Sequence, residues 1–151
     1  MSPVSDLKQL EWLRLSSNKI SNLWPLVDLT MLEQIHLEQN EISNLAPLKN
    51  LKRLKELKLG GNQITNLRPI SGLTSMRELD LESNNKLEDI SPLVGMRQLR
   101  VLNLAHNQIS DLTPLMNTRS LRTLVLVGNP YDEEQLIRLQ SALPKCDIVY
   151  R

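Results

Sequence analysis

The sequence predicts an α/β solenoid, a stack of short coils closed at its C-terminal end by a helix. Three observations carry the prediction. Asparagines stand at Asn18, Asn40, Asn62, Asn84, Asn107 and Asn129, spaced by 22, 22, 22, 23 and 22 residues. Apolar residues hold the same register around each of them. After Asn129 the repeat breaks into a segment with helical rather than strand-and-turn patterning. Self-similarity at a fixed period of this length marks stacked supersecondary units, each too small to bury its own apolar face.

Each unit divides in the same way. The first full one reads Leu10, Leu13, Leu15, Asn18, Ile20, Leu23, Pro25, Leu26, Leu29, and the second Leu32, Ile35, Leu37, Asn40, Ile42, Leu45, Pro47, Leu48, Leu51. The Leu-x-Leu step has period two, so both side chains point to one face of a short strand. Asparagine follows, where the chain turns and its amide can bond backbone groups left unpaired. Pro25, Pro47, Pro69, Pro92 and Pro114 cannot donate to a ladder and lie outside the strands. About a dozen residues return the chain to the next strand, too few for a long helix, which predicts extended or 3₁₀ segments on the far side.

The fourth unit carries one extra residue. Spacing from Leu79 and Leu81 selects Asn84 as the repeat asparagine, while spacing to Leu87, Ile90 and Pro92 selects Asn85, so the insertion is a bulge in the turn after the strand. The chain opens in mid-repeat: Ser2-Pro3-Val4 with Leu7 and Leu10 matches Ser91-Pro92-Leu93 with Met96 and Leu99. A first coil with no polar cap exposes its core. That start fits a fragment of a longer array, an engineered scaffold, or a coil covered by a partner or a second copy. At the other end Pro130 breaks the pattern and Asp132-Glu133-Glu134 forms an acidic helix start. Leu136, Ile137, Leu139 and Leu143 supply an apolar stripe, Pro144 stops the helix, and Cys146, Ile148 and Tyr150 alternate as a terminal strand. The expected organisation is one domain: residues 1–9 a partial first repeat, 10–129 the repeats, 130–151 the cap.

These residues resemble the leucine-rich-repeat family, pattern L-x-x-L-x-L-x-x-N-x-I-x-x-L-x-P-L, in its 22-residue, internalin-like subclass. The resemblance covers nearly the whole chain. It implies a right-handed solenoid with a parallel sheet on the concave side, and a cap similar to those of bacterial members. It favours a bacterial surface or secreted protein and does not fix a ligand.

Composition narrows the function. In 151 residues the formal net charge is +1, which gives no global pull toward nucleic acid or membrane. Phe is absent, so the core must be branched aliphatic. The one cysteine, Cys146, cannot form an intrachain disulfide, and nothing around it patterns as a base, so a buried structural thiol is expected. No apolar run approaches the roughly 20 residues of a membrane span, and the first six residues do not read as a secretion signal. No cofactor is expected, since neither a phosphate loop nor a metal-ligand spacing occurs. His36 and His106 fall on different coils and read as surface histidines.

Positions between the strand leucines face away from the core and form the concave surface. Trp12 and Arg14 stand on the first strand. The middle is acidic, with Glu38, Glu56, Glu78, Asp80 and Glu82 partly offset by His36 and Lys58. The last two strands offer Val101, Asn103, Ala105, Val125 and Val127. Valines on a solvated sheet face mark either a binding patch or a surface covered by the cap. Trp12 is the best single anchor for a partner or, alternatively, a shield for the first coil, and Trp24 shares that ambiguity. Glu78, Asp80 and Glu82 share a face but are nearly 7 Å apart in steps of two, too far for joint chelation of one small ion. The function expected is binding of a protein or peptide on the concave face, with no catalysis, no nucleic acid and no membrane insertion. The alternative is a scaffold without a ligand of its own, able to form a homodimer through the first coil.

Overall fold

The computed structural model describes residues 2–151, and they form one stack of coils. Seven three-residue strands, β1 (Trp12–Arg14), β2 (Gln34–His36), β3 (Glu56–Lys58), β4 (Glu78–Asp80), β5 (Val101–Asn103), β6 (Thr123–Val125) and β7 (Asp147–Val149), pair in sequence order. All pairings are parallel, and the central leucines align as Leu13, Ile35, Leu57, Leu79, Leu102, Leu124 and Ile148. The 22-residue period produces this register directly: equivalent residues of successive units pair.

The opposite side is built from 3₁₀ turns at Trp24–Leu26, Ala46–Leu48, Arg68–Ile70, Ser91–Gly95 and Thr113–Leu115, each with its proline in the first turn. The proline's fixed φ suits that position. A second asparagine or aspartate series starts these turns. Oδ1 of Asn22, Asn44, Asn66, Asp89 and Asp111 accepts a hydrogen bond from the backbone N–H two residues on. This series stands in the sequence at the same offset in every unit, three residues before the proline.

The main asparagines tie the coils together. Asn62 Nδ2 donates to the carbonyls of Leu37, Leu59 and Gly60, and its Oδ1 accepts from Ile42 N, so one amide bridges two coils. Asn40, Asn107 and Asn129 repeat the pattern of donating to both their own and the preceding coil. Asn84 is the buried ladder residue and Asn85 is exposed. The inserted residue shifts one link: Leu87 N turns back to Asn84 O, and Asn107 Oδ1 takes Asn84 N instead. The residue before each ladder asparagine is left-handed, with φ from 54° to 72° at Ser17, Gln39, Gly61, Ser83, His106 and Gly128. Only two of the six are glycine, so this requirement was hidden in the sequence.

The core is a column of leucine and isoleucine, most of it fully buried from Leu23 to Leu126. The first coil is less buried: Leu10, Leu15 and Ile20 are half-buried, and Leu7 is 51% exposed where Leu29, Leu51, Leu73 and Met96 are at 0%. Helix α1 (Glu133–Ala142) packs on the turn at Thr113–Leu115, with Asp132 capping it through Gln135 N. Leu136, Leu139 and Leu143 face the core as expected, but Ile137 does not; it lies on the solvent side at 56% exposure, because a three-turn helix against one coil buries only a narrow stripe. Gln135 latches the cap by accepting from Leu112 N and donating to Ser110 O.

Candidate functional site

The parallel register sets the concave side chains in columns. One runs Trp12, Gln34, Glu56, Glu78, Val101, Thr123 and Asp147, and the next Arg14, His36, Lys58, Asp80, Asn103, Val125 and Val149. Adjacent members are about 4.8 Å apart at the backbone, close enough for long side chains on neighbouring coils to bond.

At the N-terminal end they do. His36 is not a surface histidine: it is 4% exposed. The Trp12 ring makes a T-shaped contact with it at 6.4 Å between centroids, Arg14 Nε donates to Nδ1 at 3.3 Å, and Nε2 meets Glu56 Oε1 at 2.7 Å. Arginine can only donate, so Nδ1 accepts and the Nε2–H points at Glu56. Lys58 Nζ then bridges Glu56 at 3.1 Å and Glu78 at 3.2 Å. Burial works to raise the Glu56 carboxyl, but the bonds from His36 and Lys58 outweigh it and hold the carboxyl below its usual range. Burial likewise opposes the charge on Lys58, and the two glutamates overcome it and raise the ammonium. Trp12, beside this ordered chain of charges, remains 59% exposed. Trp24, 56% exposed, lies in the 3₁₀ turn on the opposite side and takes no part in this face.

The acidic centre has a different character. Glu38 accepts from Ser16 Oγ and Glu82 from Asn103 Nδ2. Asp80 lies between them beside Gly60, where burial first, and then the charges of Glu82 and Glu38, raise its carboxyl despite a hydrogen bond from Glu82 N. Among the described residues no three His, Cys, Asp or Glu side chains are placed to hold a metal ion.

The C-terminal end carries the valines. Val101, Val125 and Val127 are half-buried and Ala105 is buried. The cap does not lie over them. α1 sits on the convex side, and β7 joins the sheet beside β6, placing Val149 (38% exposed) next to Val125. The cap thus extends the apolar strip by one strand. The outward position of Val149 follows from the inward alternation of Cys146, Ile148 and Tyr150, all packed against the core. Cys146 is half-buried rather than buried, and desolvation, then the Asp147 charge, push its thiol up, the reverse of an activated thiolate.

The model for leucine-rich repeats in two copies matches residues 52–95 and 97–137. Among solved structures, an internalin (InlF) of Listeria monocytogenes is 32% identical, with a TM-score of 0.88 over 96% of this chain and 42% of its own. Internalin C2 of the same organism is 32% identical with a TM-score of 0.71, over 97% of this chain and 73% of its own. A leucine-rich-repeat protein of Leptospira interrogans shares the fold at 24% identity and a TM-score of 0.81, covering 99% of this chain and 45% of its own. The chain therefore spans less than half the length of two of these three. No curated protein sequence matches it.

Proposed function

This chain is an internalin-like member of the leucine-rich-repeat family, and on that premise we propose that its concave face binds a partner protein or peptide. The observation that carries the reading is Trp12. A large aromatic ring is held out from the first strand, more than half exposed, in a T-shaped contact with a histidine that Arg14 and Glu56 pin in place. An exposed but ordered tryptophan loses little freedom on binding, which is what makes such residues interface anchors. The Val101–Val125–Val149 strip supplies the apolar counterpart at the far end, and Glu38, Asp80 and Glu82 the polar surface between. His36 is buried with both ring nitrogens engaged, so it holds Trp12 and Glu56 in place on this face. No reaction is assigned.

Peptides selected from a random display library against the whole chain test the proposal. Trp12→Ala and Val125→Asp should each weaken the selected binders by about thirtyfold or more, the scale of a hot-spot side chain, with the thermal melt unchanged. Binders indifferent to both substitutions would refute it. A second reading, a homodimer through the first coil, is favoured by the exposed Leu7. Size exclusion with light scattering decides it, since a strict monomer at high concentration rules the dimer out.

A further inference from the structure

The residues just before each strand stack along one edge of the sheet. Their backbones bond in series: Arg77 N to Lys55 O, Arg100 N to Arg77 O, Arg122 N to Arg100 O, each at 2.8 Å. Along this row the charge changes sign, from Glu11 and Glu33 through Lys55 to Arg77, Arg100 and Arg122. The early coils are compensated, since Glu33 takes both Arg53 and Lys55. The later ones are not. Arg77, Arg97, Arg100, Arg119, Arg122 and Lys145 are exposed, and among the described residues none has an ion-pair partner. The concave face of the first six strands bears five carboxylates, at Glu38, Glu56, Glu78, Asp80 and Glu82, against Arg14 and Lys58. A chain of net charge +1 thus carries a cluster of unpaired cations on one edge and a cluster of carboxylates on its concave face.

The basic edge is shaped as well as charged. One cleft of about 480 Å³ lies among Arg97, Arg100, Ser120 and Arg122, and another of about 410 Å³ between Arg119, Arg122 and the end of the cap at Lys145. Arg122, common to both, is fixed: its Nη1 donates to the carbonyls of Arg119, Ser120 and Leu121, leaving the rest of the guanidinium without a protein partner among the described residues. Ser120 Oγ in the same wall is buried and has no hydrogen-bond partner among the described residues. Between Arg97 and Arg119 the exposed Val94 gives one apolar contact.

We propose that this edge is a second binding surface, distinct from the concave face, for an acidic peptide segment that carries an apolar residue among its carboxylates. The inference rests on the reading of the chain as a protein-binding module and names the chemistry of a further contact. A prefixed arginine fork matches the two oxygens of a carboxylate. Single-stranded nucleic acid would call for aromatic rings to stack its bases, and the residues lining these clefts include none. A lipid surface would take larger apolar side chains than the Val94, Ala142 and Pro144 that these clefts offer.

The test is fluorescence anisotropy with a labelled peptide of about twelve residues, glutamates around a central leucine, against the whole chain. Vesicles with about a third phosphatidylserine and a thymidine oligonucleotide of about 20 units serve as the rival probes. The peptide should bind, and Arg97→Glu/Arg122→Glu should weaken it by at least about tenfold, with the melt confirming the fold. Arg122→Lys, which keeps the charge and loses the fork, should weaken it about threefold. Lys19→Glu/Lys86→Glu, the same net change at exposed positions beyond the strands' other ends, and Trp12→Ala should leave it within about twofold. No peptide binding, an equal loss in the Lys19/Lys86 pair, or vesicle or oligonucleotide binding in place of peptide binding overturns the proposal. Loss on Trp12→Ala alone also overturns it and moves the peptide to the concave face. Binding at this edge by a chain whose selected binders ignore Trp12 and Val125 would instead sink the concave reading and leave this one standing.

Discussion

Replacing Asn62 by alanine should cost far more than the same change at Asn18, and the structure says why. Asn62 makes four hydrogen bonds, but three of the groups it serves have another partner. Leu37 O keeps Asn40 Nδ2, Leu59 O keeps Asn84 Nδ2, and Gly60 O keeps Gln39 N. The fourth, the N–H of fully buried Ile42, is served by Asn62 Oδ1. A buried donor left unpaired costs about 1–3 kcal/mol, and weakening the three shared carbonyls brings the total to about 2–4 kcal/mol. Asn18 is exposed and among the described residues bonds only Leu15 O and Ser16 O, within its own coil, so Asn18→Ala should cost below about 1 kcal/mol. Urea unfolding followed by circular dichroism measures both. Amide exchange then isolates the cause, because the Ile42 N–H should lose protection in Asn62→Ala and keep it in Asn18→Ala. Equal costs to within about 0.5 kcal/mol, or an Ile42 amide that exchanges as before, would show that the ladder does not hold the coils as argued.

Gly61 and Gly128 are left-handed, a conformation that strains any residue with a Cβ, and a Cβ on them would also crowd Gln39 Nε2 and His106 Nδ1, so each Gly→Ala should lower stability by about 1 kcal/mol in a thermal melt. Gly72→Ala is the control: its backbone is not left-handed and the Cβ would meet only the mobile end of Lys52, so its melt should match the parent. For pH, the raised Asp80 carboxyl favours the folded state while protonated and loses that contribution as pH rises through its folded pKa, so Asp80→Asn should raise Tm at neutral pH and stop doing so in acid. Glu56 has the opposite sign. Its lowered carboxyl stabilises above the unfolded value and ceases to as pH falls, so Glu56→Gln should lower Tm at neutral pH and converge with the parent on acidification.

What the sequence by itself determined is everything that repeats within one coil. The strand positions, the place of the extra residue in the turn after β4, the 3₁₀ turns around the prolines and the capping helix are set by spacing along the chain, and spacing is visible in letters. The tertiary structure decided what happens where side chains about 22 residues apart meet. His36 reads as a surface residue because its burial comes from Trp12, Arg14 and Glu56, contributed by the coils on either side. The left-handed residue before every ladder asparagine went unread, because Ser17, Gln39, Ser83 and His106 occupy it without the glycine that usually signals it. The valines were legible as outward-facing, but whether the cap covered them depended on where β7 paired, and it paired at the edge of the sheet. Stacking is a cooperative property of neighbours: a period predicts that coils stack, and only the stack determines which side chains order one another across it.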